Sequence, residues 1–414
     1  MKSAKVKPNH TLKEILNKYL DSYLRDPRRK KYISDEDLHS LHQVRHCQTA
    51  RLGLYCFECE CCGDGHRIPR SCKHRFCSNC GSADTMKWIR KLVRRLPDIK
   101  YHHVVFTLPS KLRCVAKLNK ELLYNLMFES SQLVIKSQFN DRYGLQPGII
   151  SVLHTNGSDL KYHPHIHQIV SSGGLNGAND LEELKSDYLF PQRVLAKQFR
   201  IFLLDKIYKA YAQGVLQLPH RLQKGKDFNT YIQSIKTDQW IVNVDKPIHG
   251  VERIVAYVGR YTKKSCISER RLLKVGDDGI RLSYKDYKNT PKGEKPKQGV
   301  IHLSVVEFLD RLLEHLPLKG FKVVRYYGLF SSGNIDKIDR RYLIKEVSIE
   351  AYDEEELEGR DISECGYRHY RRQVYEQTGV DPLYCYQCHQ DMELVSLKVY
   401  TPTGVLNYEY VNSS

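Results

Sequence analysis

The chain has 414 residues, 41% hydrophobic and 10% aromatic, which predicts a folded protein of two or three domains with a real core. No run of about eighteen apolar residues occurs, and the basic start "MKSAKVKPNH" has no apolar stretch behind it, so neither a transmembrane helix nor a signal peptide is expected. A formal net charge of +18 calls for a polyanionic partner, with nucleic acid first among the candidates.

Residues 11 to 46 carry helical spacing, with Leu12, Ile15, Leu16 and Tyr19 on one face and a basic "RDPRRKKY" following. Most of the thirteen cysteines then crowd between Cys47 and Cys80. C-x-x-C pairs without a secretory signal indicate zinc thiolates rather than disulfides, and hence the reducing cytoplasm. Cys59-x-x-Cys62 and Cys77-x-x-Cys80 are expected to form one tetrahedral zinc site, with Cys47 and Cys72 the preferred start of a second. Cys56, Cys61, His66 and His74 lie nearby. Four protein ligands close the coordination sphere, so this zinc should fold a DNA-binding module and not catalyse. "TMKWIRKLVRRLPDI" reads as a basic helix stopped by Pro97.

From residue 101 the period changes. "YHHVVFTL" alternates as a strand, and "KLNKELLYNLMFESSQLVIKSQF" has helical spacing. "GIISVLHT", the turn "NGSD" and "YHPHIHQIV" together predict a β-hairpin. Residues 181 to 213 are expected to be helical, "WIVNVD" a strand and "VERIVAYVGRYTKK" a short helix. Beyond residue 270, "RLSYKDYKN" and "KVVRYYGLF" are strand-like, "KDYKNTPKGEKPKQG" is a polar loop and "EFLDRLLEHL" is helical. The acidic "EAYDEEELEGRD" marks a boundary before Cys385 and Cys388, a further metal candidate that Cys365, His369 or His389 could complete. The class is α+β, with an antiparallel sheet carrying the site.

"YHPHIHQIV" puts His163, His165 and His167 on one face of a strand. Eighteen histidines produce roughly one His-x-His by composition alone, so the triplet needs support. His165 and His167 flank Ile166, which must turn into the core, whereas His163 precedes Pro164 at a strand start. His165 and His167 are therefore the favoured ligands, with His154 on the partner strand third and His163 behind it. Two strand imidazoles leave room for a third ligand and for substrate, as metal catalysis requires. On the helix at 251–264, Val251, Ile254, Val255 and Val258 form an apolar stripe, and Arg253, Arg260 and Lys264 lie nearly opposite. Tyr257 and Tyr261 fall between the two, at the border of apolar and cationic faces, where a phosphate backbone could lie.

These segments, in this order, resemble the bacterial HUH-class, two-tyrosine insertion-sequence transposases that move by a rolling-circle route. "CQTARLG" and "SCKHRFCSNC" resemble the family's zinc region. "HHVVFTLP", "LHTNGSDLKYHPHIHQIVSSGGL" and "VAYVGRYTKKSCIS" resemble its catalytic core. "LSYKDYKN", "EFLDRLLEHLPLKGFKVVRYYGLF" and "DPLYCYQC" resemble its C-terminal part. One departure stands in the zinc region, where Phe76 precedes Cys77 and Ser78 follows it in place of a His-Cys-Pro sequence.

The resemblance implies a central antiparallel sheet in which His165 and His167 hold magnesium or manganese. It implies attack by Tyr257 or Tyr261 on single-stranded DNA at element ends, through a 5′-phosphotyrosyl intermediate. Arg253, Arg260 and Lys263 are placed against backbone phosphate on helix geometry. The expected layout is a helical and zinc-binding DNA-recognition domain at 1–98, an HUH catalytic domain at 99–270 with a helical insertion at about 179–235, and a C-terminal α+β region at 271–414. One or two structural zinc ions are expected, with single-stranded element ends and target DNA as partners and a DNA-associated place in the bacterial cytoplasm. A replication initiator or relaxase would share the chemistry, and a zinc-dependent DNA-binding protein would lack it.

Overall fold

The computed structural model describes residues 10–31, 33–78, 80, 88, 92, 96–223, 225–250, 266–287, 289–291, 294, 296–334, 343, 371, 374–375, 379–401 and 404–409. The predicted helical N-terminus is three helices: α1 (Leu12–Leu24), α2 (Pro27–Lys30) and α3 (Asp35–Arg45). Thr11 and Ser34 begin α1 and α3 with capping boxes, each hydroxyl accepting from the backbone N–H three residues on. Asp26 caps α2, with Pro27 in its first turn. The helical pattern is therefore broken by strong start signals within it.

Next come the hairpin β1 (Leu54–Glu58) and β2 (Gly65–Pro69), then β3 (Tyr101–Thr107), the helices α4 (Arg113–Leu118) and α5 (Lys120–Tyr143), β4 (Gln146–Asn156), β5 (Tyr162–Leu175) and β6 (Leu181–Glu183). The helices α6 (Gln192–Ala212) and α7 (Gly225–Lys236) precede β7 (Val242–Val244). The helix expected from residue 181 starts only at Gln192. Leu181–Glu183 instead pairs with Gly173–Leu175 at the end of β5, and Pro191 stands at the head of α6. The chain continues through β8 (Leu272–Gly276), β9 (Gly279–Asp286), β10 (Lys297–Leu303), α8 (Val305–Leu313), β11 (Val324–Gly328), β12 (Glu393–Thr401) and β13 (Gly404–Glu409).

Among the described residues the central sheet runs β11-β4-β5-β3-β7, with β6 added beside β5. Its neighbouring pairs are antiparallel. The period-2 rule sorts its faces. Ile149, Leu153, Ile166, Val170, Val104 and Phe106 turn to one side, into the core shared with α5 and α6. Gln168 reaches that side too, where its amide donates to the Ser131 and Ser151 hydroxyls at 3.0 Å each and fixes α5 to β4. Ile150, Ile169 and Tyr101 turn the other way, into a smaller cluster with Leu329 and Phe330.

A second core joins α1 and α3 to β8–β10 and α8, through Leu12, Ile15 and Leu16 against Ile280, Leu282, Phe308 and Leu312. The Glu269 carboxylate accepts from the Leu12 N–H at 2.9 Å and the Ser78 hydroxyl at 2.6 Å, stitching the two together. The stretch at 271–414, expected as one C-terminal region, is thus shared out. Strands β8–β10 lie under the N-terminal helices, β11 joins the central sheet beside β4, and β12 joins the β1–β2 hairpin. The cause is edge pairing, since β1 and β4 each offer an edge that a C-terminal strand covers.

Candidate functional site

The histidine cluster follows from register. His154 and His165 are directly opposed between β4 and β5, while His167 opposes Val152 on β4 and Val105 on β3. One ligand atom from each of His154, His165 and His167 lies within 4.8 Å of the others. Ring centroids are 4.4 Å apart for His154 and His167, 4.7 Å for His165 and His167, and 5.4 Å for His154 and His165.

Hydrogen bonds orient two of these rings. The Asp245 carboxylate, just past β7, accepts from His103 Nδ1 at 2.7 Å, and His103 Nε2 accepts from His167 Nδ1 at 2.7 Å. The two imidazole planes lie 8° from parallel. His165 Nδ1 donates to the His163 carbonyl at 2.7 Å. Both chains of bonds leave Nε2 as the lone-pair nitrogen on His165 and His167, the arrangement that fixes a metal-binding tautomer. Burial, reinforced by neighbouring His154, pushes both rings well below the ordinary histidine value, so they are neutral and able to ligate at physiological pH.

His163 stands outside the triad. Its Nδ1 accepts from the Arg113 guanidinium, and burial together with that cation pushes it down to about 4. Sequence reasoning did not assign His103 or Asp245. A signal existed, because alternation on β3 puts His103, Val105 and Thr107 on the histidine face, but only register brings His103 beside His167.

Tyr257, Tyr261, Arg253, Arg260 and Lys263 lie outside the described residues. Both flanks of their segment are tied to the site-bearing sheet. Ile248 bridges to Tyr101 at the start of β3, and the Cys266 carbonyl accepts from the Asn156 amide, two residues beyond His154.

The cysteines gather into two groups, differently from expectation. Cys47, Cys72, Cys77 and Cys80 form one, and Cys59, Cys62, Cys385 and Cys388 the other. The expected tetrad of Cys59, Cys62, Cys77 and Cys80 is therefore divided. The β1–β2 hairpin explains why. Cys59 and Cys62 sit at its tip, beyond the Glu58–Gly65 pair. Cys47 and Cys72 lie at its base, where the Gln48 N–H donates to the Arg70 carbonyl. A five-residue strand spans roughly 16 Å, too far for one ion to bridge.

In the first group, Cys80 Sγ lies 3.6 Å from the sulfurs of both Cys47 and Cys72. Hydrogen bonds from Cys47, Cys72 and Cys80 hold the Cys77 thiol far below its ordinary value, toward the thiolate that binds metal. Four convergent thiols fit a closed tetrahedral zinc site. Cys56 and Cys61 join neither group. His66 meets the Tyr384 carbonyl at 2.9 Å, and His74 accepts from the Phe76 N–H. Cys365 and His369 lie outside the described residues, and His389 bonds Tyr384 instead of joining the second group.

A family described as "Putative transposase" matches residues 148–337, and one described as "Transposase zinc-binding domain" matches residues 15–108. A Sinorhizobium fredii protein described as "Putative transposase y4qJ" is 31% identical over 361 residues, covering 86% of this chain and 87% of its own. The "Transposase for insertion sequence element IS801" of Pseudomonas savastanoi pv. phaseolicola is 28% identical over 306 residues, 72% of each chain. No solved structure matches the chain. Among the described residues no helix is long and apolar enough to cross a membrane.

Proposed function

The chain belongs to the rolling-circle insertion-sequence transposases, a DNA-processing family with a zinc-binding domain, and from that premise we propose that it nicks and rejoins single-stranded DNA at element ends by tyrosine attack. The observation that carries the reading is the convergence of His154, His165 and His167 from two adjacent strands of the central sheet. Three convergent imidazoles would hold a divalent cation, and three protein ligands would leave it accessible to substrate. The donor set is nitrogen only, so it favours manganese over magnesium, which prefers oxygen ligands.

A cation held there supplies Lewis-acid polarisation of the scissile phosphate. The protein's own groups do the rest. Asp245 and His103 keep His167 in its ligating tautomer, and the His163 carbonyl does the same for His165. Tyr257 or Tyr261 attacks phosphorus through its phenolic oxygen. The bond to the 3′-oxygen breaks, leaving a 5′-phosphotyrosyl chain and a free 3′-hydroxyl. The phosphodiester energy stays in the covalent bond, so a 3′-hydroxyl can reverse the step without ATP. Two tyrosines, Tyr257 and Tyr261, allow two strand transfers on one protein. Arg253, Arg260 and Lys263 contact backbone phosphate. The substrate reading also accommodates the net charge of +18.

The test is incubation with labelled single-stranded DNA carrying element ends, with manganese, followed by denaturing electrophoresis. A covalent adduct is expected from the wild type and none from the Tyr257→Phe/Tyr261→Phe double variant. A wild type that binds this DNA yet forms no adduct would sink the proposal.

A further inference from the structure

We infer that Cys59, Cys62, Cys385 and Cys388 form a second zinc site, a closed tetrathiolate that fastens the C-terminal strands to the N-terminal zinc-binding region. The four thiols come from two turns of the same construction. In one, the Gly63 N–H donates to the Cys59 carbonyl at 2.9 Å, and Gly63, directly after Cys62, takes a φ of 70°. In the other, the His389 N–H donates to the Cys385 carbonyl at 3.0 Å, and His389, directly after Cys388, takes a φ of 63°. Glycine adopts that conformation freely, whereas it is uncommon for any residue with a side chain. Its use at His389 marks a turn held by its surroundings.

The two turns face each other. Cys59 Sγ lies 3.3 Å from Cys388 Sγ, and Cys62 Sγ lies 3.4 Å from Cys385 Sγ. These distances are far beyond a disulfide bond of about 2.05 Å. Sulfurs around a tetrahedral zinc, with bonds of about 2.3 Å, stand about 3.8 Å apart, which the cluster reaches by shifts of a few tenths of an ångström. The alignment does not come from the thiols alone. Strand β12 pairs with β1 from Leu54–Lys398 to Glu58–Glu393, and the His66 ring meets the Tyr384 carbonyl, so backbone pairing delivers one turn to the other.

The apolar core below is small. Among the described residues, Phe57, Ile68, Val374 and Met392 are its buried side chains besides Cys59 and Cys385. A core of that size does not hold a module together unaided, and a structural metal is the usual supplement. The ligands are also remote in the chain, Cys62 and Cys385 being 323 positions apart. A clip that closes so long a loop removes much freedom from the unfolded chain. With four thiolates the ion has no open position, so it joins chain ends and performs no chemistry. This site stands or falls independently of the tyrosine chemistry.

Zinc content of the full-length chain after zinc reconstitution, measured by mass spectrometry of the metal, tests the site. With the histidine site removed by His165→Ala/His167→Ala in every sample, two equivalents are expected when all the cysteines are intact. Cys59→Ser/Cys62→Ser and Cys385→Ser/Cys388→Ser should each hold one equivalent, and the quadruple cysteine variant should also hold one. Fewer than two with all the cysteines intact, or a quadruple cysteine variant that loses two while each pair loses one, overturns the shared site. If the serine variants fail to fold, Cys388→His keeps a ligand in place and cobalt substitution gives the readout. Half of the wild-type cobalt–thiolate absorption should shift in that variant, and an unchanged spectrum overturns the proposal.

Discussion

Among the described residues each cysteine cluster brings together four thiols, whereas the histidine cluster brings together three imidazoles, and on the proposed reading that difference of one ligand separates a structural from a catalytic metal centre. Four soft donors complete a tetrahedron, so the metal can only hold the chain. Three nitrogen donors on a rigid sheet leave places for a substrate oxygen. The supports differ in the same sense. The Cys59, Cys62, Cys385 and Cys388 thiols stand on turns, while His154, His165 and His167 stand on strands whose register the backbone fixes and whose rings are oriented by second hydrogen bonds. A site that must place a phosphate within about half an ångström benefits from rigid elements, and one that only joins segments does not need them.

The largest expected effect breaks the catalytic half of this contrast alone. His165→Ala or His167→Ala should lower nicking on the order of a thousandfold, because several kcal/mol of charge stabilisation depend on the cation. The zinc held by the cysteine clusters should stay at its wild-type level. Loss of that zinc together with activity in these variants would show that the clusters are not separable. Cys77→Ser should do the reverse, costing a zinc equivalent and the packing of α1.

A smaller effect is expected one shell out. His103→Asn or Asp245→Asn should weaken manganese binding by about ten- to a hundredfold, with nicking largely restored at saturating manganese. An unchanged affinity, measured by calorimetry on the zinc-loaded protein, would make the Asp245–His103–His167 chain a packing feature only.

The smallest effect separates burial from metal binding. His315 is a buried imidazole whose nitrogens meet the Thr155 hydroxyl and the Leu160 carbonyl, and burial pushes it down to about 4. Its folded form is neutral, so its stabilising contribution is complete above about pH 6.5 and is lost as the pH falls toward 4. Between pH 7 and pH 5 the loss is about 2 kcal/mol. Urea titrations at the two pH values should show it, and His315→Gln should remove that part of the slope. A slope unchanged by the substitution would assign the acid sensitivity elsewhere.

Much of the fold was legible because it depends on local periods. Alternation gave β3, β4 and β5, and helical spacing gave α5, α6 and α8, since each has a continuous buried face. The helix expected from residue 181 fails for a local reason that a period cannot show. Leu181–Glu183 finds strand partners at Gly173–Leu175, which are brought near only when β5 is in place. The division of the cysteines fails likewise. A fourteen-residue gap looks suitable for one site, but a hairpin fills it and drives the two knuckles apart.

By itself, then, the sequence determined the chemistry available. It supplies alternating histidines on a strand, paired cysteines in turns and a strongly basic composition, all set by residue type and short spacing. Tertiary structure alone decided which of these meet. Strand register placed His154 opposite His165 and His103 beside His167, and sheet pairing carried Cys385 and Cys388 back to Cys59 and Cys62. The physical reason is that ligand geometry is a through-space property. A pattern with period two or 3.6 fixes which way a side chain faces, while long-range hydrogen bonding and core packing fix what it faces.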